Sequence, residues 1–448
     1  MRRMPLALLL AGSLLSGCVG YKAAPLSAPS DVLAAPDAAI LSADAAKIDR
    51  PWLAPQPIDL SQPLTPNALA VIAVLENPEL KAQRAKAGVT DAQAFAARLL
   101  PDPSFQASFD KILSGPDVFN ALGAQLGLDI AQLRTARATR EAGDASKRQV
   151  RLDLAWAEWQ VAGQARLQGV RILALTDQFA IARASAAAAE RLFQATQRAA
   201  GRGDIAGGEL DTRRQALVDV TDKMRVAERD LAAARGDLNK MLGLPPETSL
   251  SLAAPTDPIV PPDGATLTAQ ALARRLDLQA LRGGYGVAEA GLHKAVLDQF
   301  PNLSLTVAGA RDTADNYTVG PAIGFTLPLW NRNRGGIAIA RATREQLHAE
   351  YDARLFQTRA EIDAAVTILV TVRRQRGQLI AQMPELERFA ASAERAAKRG
   401  DLAPATAETA AQSLRDRRLA LRQLDQQIAE QTIALELLSG GPAEGWTQ

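Results

Sequence analysis

The sequence predicts a mainly α-helical fold with a small β part suited to lipid. Three observations carry that expectation. Landmarks in the first half recur about 200 residues later. Each half contains a helical pattern far too long for a compact globule, and each half carries two short segments whose apolar residues alternate with period two.

The chain opens with Met1-Arg2-Arg3, continues through an apolar run from Leu6 to Leu15 and reaches Leu15-Ser16-Gly17-Cys18. That is the layout of a bacterial lipoprotein signal, so residues 1–17 are expected to be removed, leaving Cys18 as an acylated N-terminus. The apolar run is shorter than the ~20 residues a spanning helix needs. Val19, not Asp, follows the cysteine, which in such lipoproteins implies sorting to the outer membrane. Residues 18–63, rich in Pro, Ala and Ser, are expected to form an extended strap leading away from the lipid.

The first repeat, residues 64–243, begins with a helical pattern from about Thr65 to Leu100. Two strands follow. In the first, Phe105, Ala107 and Phe109 face one way, with Ser104, Gln106, Ser108 and Asp110 opposite. In the second, Leu122, Ala124, Leu126, Leu128 and Ile130 alternate with Gly123, Gln125, Gly127 and Asp129. A very long helix spans about Ala131 to Ala200, breaks at Gly201, Gly203, Gly207 and Gly208, and returns as a helix from Glu209 to Leu242. Residues 244–265, with Pro245, Pro246, Pro255, Pro258, Pro261 and Pro262, read as a linker.

The second repeat, residues 266–440, repeats the plan: a helix over 267–299, two strands, a helix over 336–399, a break at Gly400 and a helix over 404–438, with residues 441–448 as a tail. Its strands set Leu303, Leu305 and Val307 against Ser304, Thr306 and Ala308, and Tyr317, Val319, Ile323, Phe325 and Leu327 against Thr318, Gly320, Gly324 and Thr326. Ala-Arg-Ala-Thr-Arg-Glu occurs at 136–141 and at 340–345; Gly88-Val89 answers to Gly286-Val287, Pro101 to Pro301, Glu158 to Glu361, Arg202-Gly203-Asp204 to Arg399-Gly400-Asp401, and Gly243 to Gly440. In each half the two shorter helices together match the long one in length, so laid antiparallel they stack end to end beside it. At 1.5 Å per residue the long helices are on the order of 100 Å, suited to a coiled-coil tube. Pro384 is expected to interrupt and kink the second of them.

Four strands enclose no lumen, and an open sheet edge is not tolerated in lipid. Several copies must therefore pool their strands, and three copies supply twelve, an even number with room for water inside. The polar segments Leu113–Asp117 and Asp312–Asn316 suit turns at the cell exterior.

Composition excludes other classes. The chain has 51 Lys plus Arg against 49 Asp plus Glu, and two of the arginines lie in the leader, so no basic surplus points to nucleic acid. Aromatics are only 4%, which with abundant alanine suits closely packed long helices. His293 and His348 lie on separate helical patterns without a nearby cysteine, so neither a zinc site nor a catalytic triad is expected. There is no phosphate-binding Gly-Lys-Ser/Thr loop, and no enzyme activity, cofactor or metal is expected.

The duplicated plan of helix, hairpin, long helix, turn and helix resembles that of the TolC-type outer-membrane efflux channels. So do Pro301-Asn302-Leu303 before the third strand, Leu327-Pro328-Leu329 with Asn331-Arg332-Asn333-Arg334-Gly335 after the fourth, and the Arg-Gly-Asp turns. The resemblance covers nearly all of the mature chain. It implies a homotrimer with four barrel strands per protomer and a periplasmic helical tunnel. It also implies helical tips that meet a periplasmic adaptor (membrane fusion protein) joined to an inner-membrane efflux pump. The tip glycines fall on Gly203 and Gly400, with Arg202, Asp204, Arg399 and Asp401 beside them as adaptor contacts. The acids that constrict the periplasmic mouth fall on Glu209 in the first repeat. In the second, Thr406 stands at that position and Glu408 is the nearest acid. Glu209 equally suits the first turn of a helix, and Asp204 and Asp401 equally suit helix caps. The rival reading is a structural periplasmic coiled-coil lipoprotein without a channel.

Overall fold

The structure, a computed structural model, describes residues 20–205, 207–254 and 259–446. The leader and Cys18 lie outside them. Residues through Ala35 form one unit and residues from Pro36 a second. The described part of the first, from Gly20, holds a single helical turn, Pro29–Val32, in which the Leu33 N–H donates to the Pro29 carbonyl.

The second unit opens with α1 (Ala38–Ala45), whose first turn is closed by the Asp37 carboxylate accepting from the N–H groups of Ala39 and Ile40. From Pro36 onward, the segment expected as an extended strap is thus partly helical and contributes to the core. Leu41, Ala45, Ile48, Leu53, Ile58 and Leu64 are buried with apolar side chains of three helices of the first repeat. Those helices are α2 (Pro66–Glu76), α4 (Ile130–Gly201) and α5 (Gly207–Met241).

The helix expected over 65–100 is two helices, α2 and α3 (Pro78–Ala96). Pro78 cannot donate to a preceding turn and pushes Asn77 to extended geometry (ψ 122°), while the Asn77 amide oxygen caps α3 by accepting from Leu80 N–H. The Asn77 Nδ2 donates to the Met241 carbonyl at 2.9 Å, tying the break to the end of the return helix. The second repeat breaks at the same place without a proline. α6 (Gly264–Arg274) and α7 (Leu276–Leu297) part at Arg275, which is extended and fully buried. Its guanidinium binds Asp277 and donates to the Leu438 carbonyl near the end of the return helix.

α4 and α8 (Arg334–Arg399) are the two long helices, 72 and 66 residues, and α5 and α9 (Pro404–Ser439) are their return partners. At 1.5 Å per residue α4 is about 110 Å long. The interruption expected at Pro384 does not occur, because α8 runs through it. α2, α3 and α5 all pack along α4. The halves are laced together by Trp159 Nε1 donating to the Leu437 carbonyl and by Arg166 paired with Glu436 at 2.6 Å. A second apolar core, with Leu267, Ile362, Leu369, Ile428 and Leu435, fills the second repeat.

The strands β1 (Ser104–Asp110), β2 (Ala121–Asp129), β3 (Leu303–Arg311) and β4 (Tyr317–Phe325) form one antiparallel sheet in the order β1-β2-β3-β4. The central β2–β3 pairing, from Leu122 opposite Arg311 to Asp129 opposite Ser304, joins the repeats. β2 leads directly into α4 at Ile130, where the Asp129 carboxylate caps the helix. No helix among the described residues is long and apolar enough to cross a membrane.

Candidate functional site

Two regions carry the candidate chemistry, the sheet at one end of the long helices and the helical turns at the other. In an antiparallel pair, residues directly opposite each other share a face. The register sets Phe105 opposite Leu126, Leu126 opposite Val307 and Val307 opposite Pro321; Phe109 lies opposite Leu122, and Leu305 opposite Ile323. One face is therefore apolar across all four strands. The other consists of small and polar residues: Gln106 with Gln125, Gln125 with Ala308, Ala308 with Gly320, and Thr306 with Ala322.

The apolar face is not covered by the protomer itself. Val319 is 82% exposed, Tyr317 75% and Phe105 70%. β1 and β4 each have one neighbour, so two rows of backbone donors and acceptors face outward. In water such a sheet is an aggregation site; in lipid it is intolerable unless other strands satisfy its edges. Arg311 is the one charged residue on the apolar face within the strands. It lies at the hairpin end, stacked over Phe119 (4.5 Å) and Tyr317 (5.7 Å) and paired with Asp315 at 2.6 Å. The turn beside it is ordered by the Asp312 carboxylate. That group accepts from the Asn316 side chain and from the N–H groups of Asn316 and Ala314, which lowers its pKa.

At the far end the two repeats use the same stop signal. Gly203 (φ 78°) and Gly400 (φ 84°) adopt left-handed conformations that a side chain disfavours. The N–H groups of Gly203 and Asp204 donate to the Ala200 and Ala199 carbonyls, and those of Gly400 and Asp401 to Ala397 and Ala396. This paired closure satisfies carbonyls that a helix end otherwise leaves open. Arg202 Nε donates to Asp204 and Arg399 Nε to Asp401, each at 2.8 Å. The aspartates thus pair with the arginine two residues before them. Both ion pairs are exposed.

The two candidate aperture acids have different surroundings. Glu209 lies in the first turn of α5, about half exposed, with Arg213 at 3.6 Å. Glu408 is held by Arg415, which also donates to Gln412 and to Ser185 of α4. Glu408 is therefore charge-compensated and tied to a neighbouring helix, whereas Glu209 presents a weakly paired carboxylate.

Sequence reasoning missed a buried acid. Glu158 is 1% exposed and accepts from Arg50 at 2.5 Å and from Arg84 at 2.7 Å. Burial works to raise its pKa, but hydrogen bonds and charge from the two arginines prevail and hold it below the usual carboxylate range. Its counterpart in the repeat, Glu361, accepts from the Gln357 amide and, among the described residues, from no arginine. Two nearby tryptophans, Trp156 and Trp159, were the available signal. Trp159 stacks edge-on against Trp52 at 5.7 Å, beside Arg50. Among the described residues no cluster of His, Cys, Asp and Glu is arranged to hold a metal.

The outer membrane efflux protein family model matches residues 267–441. No curated sequence matches the chain. Among solved structures, the CmeC outer-membrane channel of Campylobacter jejuni superposes with a TM-score of 0.70 at 15% identity, over 95% of this chain and 94% of that one. CusC gives 0.67 at 17% over 91% and 99%, and the outer-membrane protein VceC of Vibrio cholerae gives 0.68 at 17% over 84% and 96%. At these identities the likeness is one of fold, and it spans both repeats and the sheet. The second repeat thus matches the outer membrane efflux protein family, and the chain as a whole shares the fold of these outer-membrane channels.

Proposed function

We propose that this chain is the outer-membrane channel component of a tripartite efflux or secretion system. Three copies pool their sheets into a twelve-stranded barrel, and their long helices form the periplasmic duct. The observation that carries the reading is the four-stranded sheet with an exposed apolar face, a small and polar face, and two open edges. β4 of one copy pairs with β1 of the next, the apolar face meets lipid and the small residues line water. Cys18 carries the acyl anchor at the membrane. The tips at Arg202, Gly203 and Asp204 and at Arg399, Gly400 and Asp401 meet a periplasmic adaptor, which links the duct to an inner-membrane pump. A ring of three Glu209 carboxylates lines the periplasmic mouth and favours cations, whereas Glu408 adds little charge because Arg415 neutralises it. The duct is passive; the energy comes from the pump.

Planar-bilayer recording of the purified full chain tests this. Steady single-channel conductance is the expected result. A well-folded trimer that never conducts favours the channel-free coiled-coil lipoprotein instead.

A further inference from the structure

The apolar face continues past the end of β4. Leu327 and Leu329, with Phe300 on the incoming side of β3, are 64, 59 and 51% exposed, and Trp330 is 82% exposed. All four lie at the helix end of the sheet, where Thr326 N–H donates to the Asn302 carbonyl. Beside them stand Arg332 and Arg334. Among the described residues these two form no ion pair. Arg332 Nε donates to the Pro328 carbonyl; Arg334 donates through Nη2 to Trp330 (2.7 Å) and through Nε to Asn331. Arg134, at the start of α4, likewise donates only to the carbonyls of Phe300 and Pro301 and stacks on the Phe300 ring.

The loop is shaped, not loose. Arg332 (φ 44°) and Asn333 (φ 50°) are successive non-glycine residues in the left-handed region, which is uncommon. Asn333 Nδ2 anchors the turn by donating to the Ala295 carbonyl of α7 at 2.8 Å. Each guanidinium has five N–H donors, and these contacts leave most of them available.

We infer that this loop is a binding site for anionic phospholipid in the periplasmic leaflet. Trp330, Leu327 and Leu329 enter the interface, and Arg332 and Arg334 take the headgroup phosphate. The inference rests on the channel reading, which puts this end of the sheet at that leaflet. Tryptophan favours the headgroup level, and a guanidinium fork matches a phosphate geometrically. The hairpin end differs: its lone arginine on the apolar face, Arg311, is already neutralised by Asp315.

The test uses the full chain, purified as its native oligomer in uncharged detergent and offered equal phosphatidylglycerol and phosphatidylcholine. Retained lipid is read by native mass spectrometry, and conductance is recorded in parallel. The wild type is expected to prefer phosphatidylglycerol by roughly ten- to thirtyfold, from two basic residues near an anionic surface. R332Q/R334Q is expected to lose that preference with oligomer and conductance unchanged, and R332K/R334K to retain much of it. Equal retention of both lipids, a preference that survives R332Q/R334Q, or an oligomer that falls apart in that variant overturns the assignment. The last of these would mark the loop as a seam between copies. Selective retention by a chain that never conducts supports the lipid site and defeats the channel reading alone.

Discussion

Gly440 closes against Arg275. A Cβ on Gly440 would stand 3.1 Å from the Arg275 backbone nitrogen, and one on its counterpart Gly243 would stand 2.7 Å from the Glu76 carbonyl oxygen. In both repeats the left-handed glycine that ends the return helix thus sits on the break between α2 and α3 or between α6 and α7. The duplication is preserved as a packing joint even though Asn77 and Arg275 make the break by different means.

Gly440→Ala is expected to destabilise the chain by about 2 kcal/mol, combining the left-handed conformation with the close backbone. Gly236→Ala serves as the opposite control. Gly236 lies inside α5 with open space around it, so alanine is expected to add about 0.5–1 kcal/mol. Thermal unfolding of both variants checks the signs.

Glu158 is expected to make the chain acid-sensitive. Its folded pKa lies below the unfolded value of about 4.3, so its contribution is complete above that value and lost as the pH falls through the folded one. At neutral pH, Glu158→Gln is expected to cost about 2–3 kcal/mol in lost charged hydrogen bonds. It should also flatten the melting temperature's dependence on pH below about 4 relative to wild type. Melting curves from pH 7 to pH 3 decide this; a parallel dependence in both proteins would remove Glu158 as the cause.

The facing of the sheet is tested by neighbours on β4. Val319→Arg places a charge on the apolar face and is expected to cost up to about 2–4 kcal/mol, reducing the yield of membrane-inserted oligomer. Gly320→Arg places the same charge on the opposite face, where nothing lies within 4 Å of a new Cβ, and insertion should persist. The reverse pattern would turn the sheet inside out.

Glu209→Gln is expected to lower cation preference, seen as a smaller reversal potential in a KCl gradient. Glu408→Gln should change it little, since Arg415 already neutralises that carboxylate. Equal effects would contradict the difference in their pairing.

At the tips, Asp204→Lys and Asp401→Lys oppose like charges where Arg202 and Arg399 now find carboxylates. Cross-linking to a co-expressed adaptor is expected to fall while the oligomer survives. Undiminished cross-linking would remove these turns from the adaptor interface.

The strands were legible because period-two alternation is a local property, and within the strands the observed register keeps each alternating set on one face, although Ile130, expected in the second strand, begins α4, and Thr326 and Leu327, expected in the fourth, lie past its end. The long helices and their glycine stops were legible for the same reason. The break at Asn77 had a local sign in Pro78. The break at Arg275 had none, because it depends on Asp277, the Leu438 carbonyl and the Trp156 ring, which lies 4.9 Å from the guanidinium. At the candidate sites, the sequence pattern located the glycines that end the long helices but not the partners of the acids. Asp204 and Asp401 turn back to arginines, and Glu408 is held by an arginine two helical turns away that also reaches Ser185.

The open edges of β1 and β4 have a genetic consequence. If every seam of the closed ring needs a sound edge from two different copies, a single faulty strand spoils an assembly whose other members are intact. When half of the synthesised chains carry the fault and still associate, only about one ring in eight contains none. A lesion confined to those edges should therefore act dominantly in a cell that also makes the normal chain, whereas one that prevents folding outright should be recessive.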